Sequence, residues 1–494
     1  MPAGTVTTTV NDGGLGTLPT STSRAHVVAG VCTGGTPGTL YSFSDVKTLV
    51  DTLVGGPGVQ AAAYELALDG PPILVCPINA SVVGVAGAVS VVRTGLSNGT
   101  VTVASGTPYD AFSVKIKVAS AGTGQLVSTG LVQVQVSVDG GTTYGAAQFV
   151  PNTGTFVLRD QKSVATGLTL TFSVAASTFD FGDVFSFTCQ APFYSATDVN
   201  NMFTGLFASP TEWAWCHLVG YPTVGSGSAN AAASAVIASA IATNMASAYA
   251  NGRFVFSIME APPSTDAELT TAFLNFTDRR VMIAAGTDVL TSPVDGNSFT
   301  RSQAWPLSAR LGQLRPSVSP GQTGDGGVPD APGGPLTGVV SINRDERTAT
   351  SSLYDQGFSV VTTYQGISGF FCDAGRMKAP AGSDYTLVMY RRVMDQACRY
   401  ARLAGFKYLN SPLPVDSATG TLLKAAATGI KSFIDKYIRA SMATEFSDIV
   451  ISVNDTDNLL TVQKLKIKVQ IIGFAYALNV EETVEFFNPA LQPV

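Results

Sequence analysis

Charge is scarce in this chain of 494 residues: Lys, Arg, Asp and Glu make up 13% of it, about half the share in an ordinary soluble protein. With a mean hydropathy of +0.25, there is too little charge to cover a large free surface, so burial against partner subunits is expected. Histidine is scarcer still. His26 and His217 are the two in the chain, both sit in apolar runs, and both read as core or strand-end residues because no triad can be built around either. The six cysteines form no Cys-x-x-Cys pair, which removes the common zinc frameworks. Lys and Arg are nowhere clustered enough for a nucleic-acid arm, so direct nucleic-acid binding is not expected. The opening Met1-Pro-Ala-Gly-Thr-Val6 has neither a basic start nor an apolar core, so no secretory signal is expected and synthesis in the cytoplasm follows.

Two motifs with possible chemistry dissolve on inspection. Gly225-Ser-Gly227 precedes an Ala-rich helix but is not followed by Gly-Lys-Ser/Thr. Asn454-Asp-Thr-Asp-Asn458 begins like a calcium loop but lacks its sixth-position Gly and twelfth-position Glu. No catalytic residue, cofactor or metal is expected. The Ala-rich run 229–250 is the one candidate membrane span, and Ser, Asn and Thr interrupt it; it reads as a small-residue helix packed between other elements, without membrane insertion.

What is present is texture that changes along the chain. Residues 1–24 form an N-terminal arm poor in core residues, within which Val6, Thr7, Thr8, Thr9 and Val10 make a short β-prone run suited to pairing with another chain. His26 to Cys32 is a buried strand, Ser44-Asp45 caps a helix, Val59 to Leu68 has a second helical pattern, and Ile73 to Ile78 is another buried strand. Residues 82–192 switch to short alternating runs separated by Gly, Asn, Asp and Ser, the spacing of an antiparallel sandwich. Alternating helices and strands then resume to residue 316. The expected fold is α/β (α+β) and multidomain, with mixed sheets flanked by helices and an inserted antiparallel β-sandwich at 82–192. A discontinuous α/β domain would comprise 25–81 and 193–316, a Gly- and Pro-rich linker 317–337, a C-terminal core domain 338–475 and a C-terminal arm 476–494. In the last block a helix from Leu422 to Ala440 places Lys424, Lys431 and Arg439 away from its apolar face. Cys32, Cys76 and Cys216 read as core residues, whereas Cys189, Cys372 and Cys398 look more accessible and are candidates for inter-subunit disulfides in a particle released into an oxidising medium.

Several segments, taken in order, resemble the tail sheath family of contractile phages and related injection systems. They are His26-Val-Val-Ala-Gly-Val-Cys-Thr-Gly-Gly-Thr-Pro-Gly38, Tyr41-Ser-Phe-Ser-Asp-Val46, Ala67-Leu-Asp-Gly-Pro-Pro-Ile-Leu-Val-Cys-Pro-Ile78, Gly366-Ile-Ser-Gly-Phe-Phe-Cys-Asp-Ala-Gly375, Asp384 to Arg392, Phe406-Lys-Tyr-Leu-Asn410 and the terminal strand pattern to Phe486. Residues 82–192 match nothing essential to that family, and Phe370-Phe371 stands where a Trp-Gly-Ala-Arg-like run would be expected. The resemblance implies a helical homo-oligomer around an inner tail tube, with baseplate and tail terminator proteins as further partners, in the tail of a virion assembled in the host cytoplasm. It implies that terminal arms add strands to neighbouring subunits, and it makes Lys424, Lys431 and Arg439 candidates for facing the tube. A surface adhesin or carbohydrate-binding protein is the rival reading, suggested by the β-rich insertion.

Overall fold

A computed structural model describes residues 23–70, 72–120, 122–160, 164–324, 333–478 and 480–481. They fall into two compact units that divide between Arg399 and Tyr400. The first unit opens with β1 (His26–Val31), buried along its whole length, as a strand covered on both faces must be. After β2 (Tyr41–Phe43), the Asp45 carboxylate accepts from the Thr48 backbone N–H at 2.8 Å and starts α1 (Val46–Leu53). Val54 closes it at φ 66°, a left-handed conformation rare for a β-branched residue. Pro57 then occupies the first turn of α2 (Pro57–Asp69), where its missing N–H costs nothing. That helix lies directly on β1: a Cβ built on Gly30 would stand 2.8 Å from the Gly58 Cα, so only paired glycines permit this approach. β3 (Ile73–Ile78) runs parallel to β1.

The chain then leaves this sheet beside the point where it later returns, with Val82 and Phe193 exchanging both backbone hydrogen bonds at 2.8 Å. Between them lie β4 (Val85–Ala86), β5 (Ser90–Val92), β6 (Val101–Gly106), β7 (Ser113–Val118), β8 (Gln125–Leu126), β9 (Gln133–Ser137), β10 (Gln148–Phe149), β11 (Thr155–Arg159), β12 (Ala165–Phe172), β13 (Thr178–Phe179) and β14 (Val184–Gln190). One antiparallel sheet has the order β10-β9-β7-β14, with β4 and β5 on the far side of β14; a second has the order β11-β12-β6. Alternation along each strand sends Val114, Ile116, Val118, Val134, Phe185, Phe187, Leu168, Leu170 and Phe172 into a shared core.

Beyond it follow α3 (Ala196–Ala208), started by a Ser195/Asp198 capping box, β15 (Trp215–Leu218), α4 (Gly227–Ala250), β16 (Phe256–Glu260), α5 (Asp266–Ala272) and β17 (Val281–Ala284). The principal sheet has the order β17-β16-β15-β1-β3-β2, parallel except for β2. α4 is long and apolar enough to cross a bilayer, yet Ala231, Ile237, Ala238, Ile241 and Met245 are buried in the core beneath the sheet. The remaining elements of the first unit are β18 (Thr287–Thr291), β19 (Ser298–Ser302), α6 (Ala304–Gln313), β20 (Val339–Ile342), β21 (Val361–Tyr364), β22 (Ile367–Cys372) and α7 (Val388–Phe406), which runs past the division. The division falls inside the block 338–475 grouped from the sequence. The reason is pairing: β20 joins β18, and the Ser359 N–H donates to Ile283 O at 2.9 Å.

The second unit contains α8 (Lys424–Met442), β23 (Asp448–Val453), α9 (Leu459–Val462) and β24 (Ile467–Ile472). α8 buries Ala427, Ile430, Ile434, Ile438 and Met442, and β23 buries Ile449 and Ile451. Leu423, inside the helix expected from Leu422 to Ala440, is instead the residue before it and is exposed.

Candidate functional site

The close α2–β1 contact carries Glu65 into the middle of the first unit, where it is fully buried. Glu65 Oε2 accepts from His26 Nε2 at 2.7 Å and from the Ser308 hydroxyl at 2.8 Å, and Oε1 accepts from His217 Nδ1 at 2.5 Å. His217 Nε2 points toward Glu260 Oε1 at 3.4 Å, and that oxygen accepts from Trp305 Nε1 at 2.7 Å. His26 Nδ1 donates to Arg24 O at 3.2 Å. Its ring stacks on Trp215 with centroids 4.6 Å apart, while the Arg392 guanidinium lies 5.1 Å from the same indole. The polar cluster therefore ties together α2, β1, β15, β16 and α6.

Hydrogen-bond accounting fixes the charges. Both ring nitrogens of His26 face groups that only accept, a carboxylate and a carbonyl, while His217 bonds a carboxylate through Nδ1 and points Nε2 at a second without closing a hydrogen bond; these surroundings favour the imidazolium form of both rings. Burial alone would lower the pKa of His217, but the charges of Glu65 and Glu260 and the bond to Glu65 outweigh it and push it up to about 9. His26 is likewise raised against its burial, by Glu65 and Asp69. Burial would raise Glu65, and the two imidazolium rings instead hold it down at about 2. The two rings sit among three carboxyl groups, Glu65, Glu260 and Asp69, whose oxygen lies 3.8 Å from His26 Nδ1, an arrangement that specifies how five elements fit together more than it adds stability. The expectation of satisfied core histidines described the surroundings of His26 and His217 but missed their partners. Glu65 did leave a signal, as the one charged residue between Pro57 and Leu68.

The residues singled out for assembly are placed as follows. Val6, Thr7, Thr8, Thr9 and Val10 lie outside the described residues, as does most of 476–494. Lys424 and Lys431 are exposed on α8 and make no ion pair among the described residues. Arg439 is engaged within its own unit: it donates to Asp435 at 3.0 Å, to Asp448 at 2.7 Å and to Ile449 O at 3.1 Å, fastening α8 to β23. The cysteine reading needs correction. Strand alternation turns Cys189 inward beside Phe185 and Phe187, and Cys372 at the end of β22 is 1% exposed. Burial pushes the Cys189 thiol up to about 12 and Cys372 higher still, so neither is available to a neighbour in this conformation. Cys398, on α7, is half-buried.

β23 and β24 pair along their whole length, from Asp448 opposite Ile472 to Val453 opposite Ile467. Among the described residues neither takes a second partner strand, so this ribbon presents open edges. Two strands alone are marginal in water.

Comparison with known proteins places these features in context. The profile described as DUF2586, N-terminal domain, matches residues 3–376, and that described as DUF2586, C-terminal domain, matches residues 384–491. No curated protein matches. Among solved structures, a chain of the anti-feeding prophage baseplate in its contracted state aligns at TM-score 0.54 and 10% identity, over 100% of this chain and 99% of that one. The anti-feeding prophage helical sheath in its contracted state aligns at TM-score 0.50 and 9% identity, over 99% of both. A sheath tail protein from Desulfitobacterium hafniense aligns at TM-score 0.44 and 14% identity, over 95% of this chain and 100% of that one. The fold is that of contractile sheath proteins, and by the span of the two profiles the chain belongs to the DUF2586 family.

Proposed function

We propose that this protein is the structural subunit of a contractile tail sheath, which polymerises helically around an inner tail tube and contracts to drive that tube through a host envelope. The observation that carries the reading is the end-to-end correspondence of its fold with a helical sheath in the contracted state. Two physical features support it: a surface too poor in charge to stand free, and the open β23–β24 ribbon. A strand from another subunit would complete that ribbon through main-chain hydrogen bonds. Val6–Val10 and the C-terminal arm are the proposed donors, and flexible connections would keep the mesh joined while rigid units repack between two states. Lys424 and Lys431, with Arg439 already partly neutralised, are the proposed tube-facing charges. Baseplate and tail terminator proteins would cap the array, in a virion or tail-like particle assembled in the host cytoplasm. Residues 82–192 would decorate its surface.

Negative-stain microscopy of purified protein across a concentration series tests this. Hollow tubes or stacked rings are expected. A monomer that persists at high concentration with its N-terminal arm intact would overturn the reading in favour of an adhesin.

A further inference from the structure

Two backbone carbonyls at the root of the N-terminal arm are held by side chains of the buried cluster. Ala25 is fastened to the principal sheet, its carbonyl accepting from the Ala214 N–H at 2.7 Å. Immediately before it, Arg24 O accepts from His26 Nδ1 at 3.2 Å and Ser23 O from Arg392 Nη2 at 3.4 Å. Ser23 and Ala25 are buried, whereas Arg24 between them is exposed. Arg392 is itself pinned to α6, since the same Nη2 donates to Leu311 O and Leu314 O at 2.9 Å each. His26 and Arg392 also share the Trp215 indole, at 4.6 and 5.1 Å. The chain thus leaves the fold through a clamp with two points.

The two points differ in kind. A guanidinium keeps its charge at any pH the fold survives, but an imidazolium does not. When protonated, His26 donates from both nitrogens, Nε2 to Glu65 at 2.7 Å and Nδ1 to Arg24 O. A neutral ring has one N–H to give. The Glu65 bond is the shorter and ends on a carboxylate, so the remaining proton stays on Nε2. Nδ1 then turns a lone pair toward Arg24 O, with Asp69 Oδ2 3.8 Å away, and attraction becomes repulsion. The groups around the ring are Glu65 and Asp69 from α2, His217 of β15 beyond Glu65, Ser308 of α6 on Glu65 Oε2, Arg392 of α7 across Trp215, and Arg24 beside it in the chain. Burial lowers the pKa of the ring, but Glu65 and then Asp69 raise it above its ordinary 6.5. The clamp is therefore closed below pH 6.5 and opens as pH rises through the raised value. Glu65 at about 2 and Asp69 at about 6 are both ionised across that window.

We propose that His26 is a proton-operated latch on the root of the N-terminal arm: the imidazolium ring holds the Arg24 carbonyl, the neutral ring releases it, and Arg392 keeps the second point closed. The latch bears on assembly through the arm pairing proposed above, but it works within one subunit, so dispersed protein tests it whether or not tubes form. A nitroxide on Arg24→Cys in a Cys398→Ser chain reports motion at the root by electron paramagnetic resonance, and the same label on Lys47→Cys, exposed on α1, reports general loosening. Between pH 6.5 and 9.5 the ratio of mobile to immobile label at residue 24 is expected to rise about fivefold, the worth of one hydrogen bond, with the label at residue 47 unchanged. His26→Gln should be mobile at both ends with no step, although His217 still titrates. Arg392→Lys should be more mobile at both ends yet keep the step, which tests the latch even if His26→Gln does not fold. No step at residue 24, an equal step at residue 47, a step surviving in His26→Gln or one lost in Arg392→Lys would each overturn the proposal.

Discussion

Replacing Glu65 with Gln is the sharpest probe of the buried cluster. In the folded chain, His217 holds its proton up to about 9 against an ordinary value of 6.5, which at about 1.4 kcal/mol per pH unit corresponds to about 3 kcal/mol of coupling. The sign follows from the raised value: this stability is fully present below pH 6.5 and is lost as pH rises through 9. Glu65, held down at about 2 from 4.5, reports the same interaction from the acid side, present above pH 4.5 and lost as pH falls through 2, and so is not added. Glu65→Gln leaves two imidazole rings facing an amide that can accept through only one atom, and removal of one partner from a buried ion pair costs about 3–5 kcal/mol. For a unit of 399 residues an unfolding entropy of about 2.1 cal/mol/K per residue converts this to a fall in melting temperature of about 4–6 °C. Differential scanning fluorimetry at a fixed scan rate, from pH 5.5 to 9.5, makes the measurement. The wild type is expected to lose about 4 °C between the two ends, and Glu65→Gln to start lower and slope less, because Glu260 at 3.4 Å is then the one carboxylate left to hold the His217 proton. Parallel pH profiles, or a variant that melts with the wild type, would refute the charge assignment.

Three further outcomes follow from particular contacts. Trp305→Phe removes the donor to Glu260 and should cost about 1–3 kcal/mol, read as a lower urea midpoint at unchanged slope. Gly58→Ala would put a methyl 2.9 Å from both the Gly30 carbonyl carbon and the Cys32 sulfur; lifting α2 off β1 should cost about 1–3 kcal/mol, whereas neutral substitution would show that the contact is loose. In the native protein at pH 8, a thiol reagent should label Cys398 well before Cys189 and Cys372, whose thiols burial has pushed far up; mass spectrometry of tryptic peptides gives the order, and early labelling of Cys372 would contradict its placement.

Much of the architecture could be read from local pattern because it is encoded locally. The apolar run of β1, the Asp45 cap, the helical pattern of Val59 to Leu68 and the period-two alternation of β7 and β14 each involve residues close in sequence. What escaped was long-range. Glu65 meets His217 across 152 positions and Ser308 across 243, and no periodicity reports such a pairing. Cys189 was misread because its strand lies at the end of the insertion in sequence, whereas its side chain obeys the inward alternation set by Phe185 and Phe187. Arg439 looked like a free surface cation since Asp448 approaches it only after the turn that leads α8 into β23.

The paired backbone at Val82 and Phe193 gives the sandwich a single narrow doorway: the chain goes out and comes back one strand-width apart. Beyond that doorway the sandwich is fastened a second time, since Arg301 pairs with the buried Asp110 at 3.0 Å and Phe299 packs into the sandwich core, so removing the insertion would strand a buried guanidinium without its carboxylate.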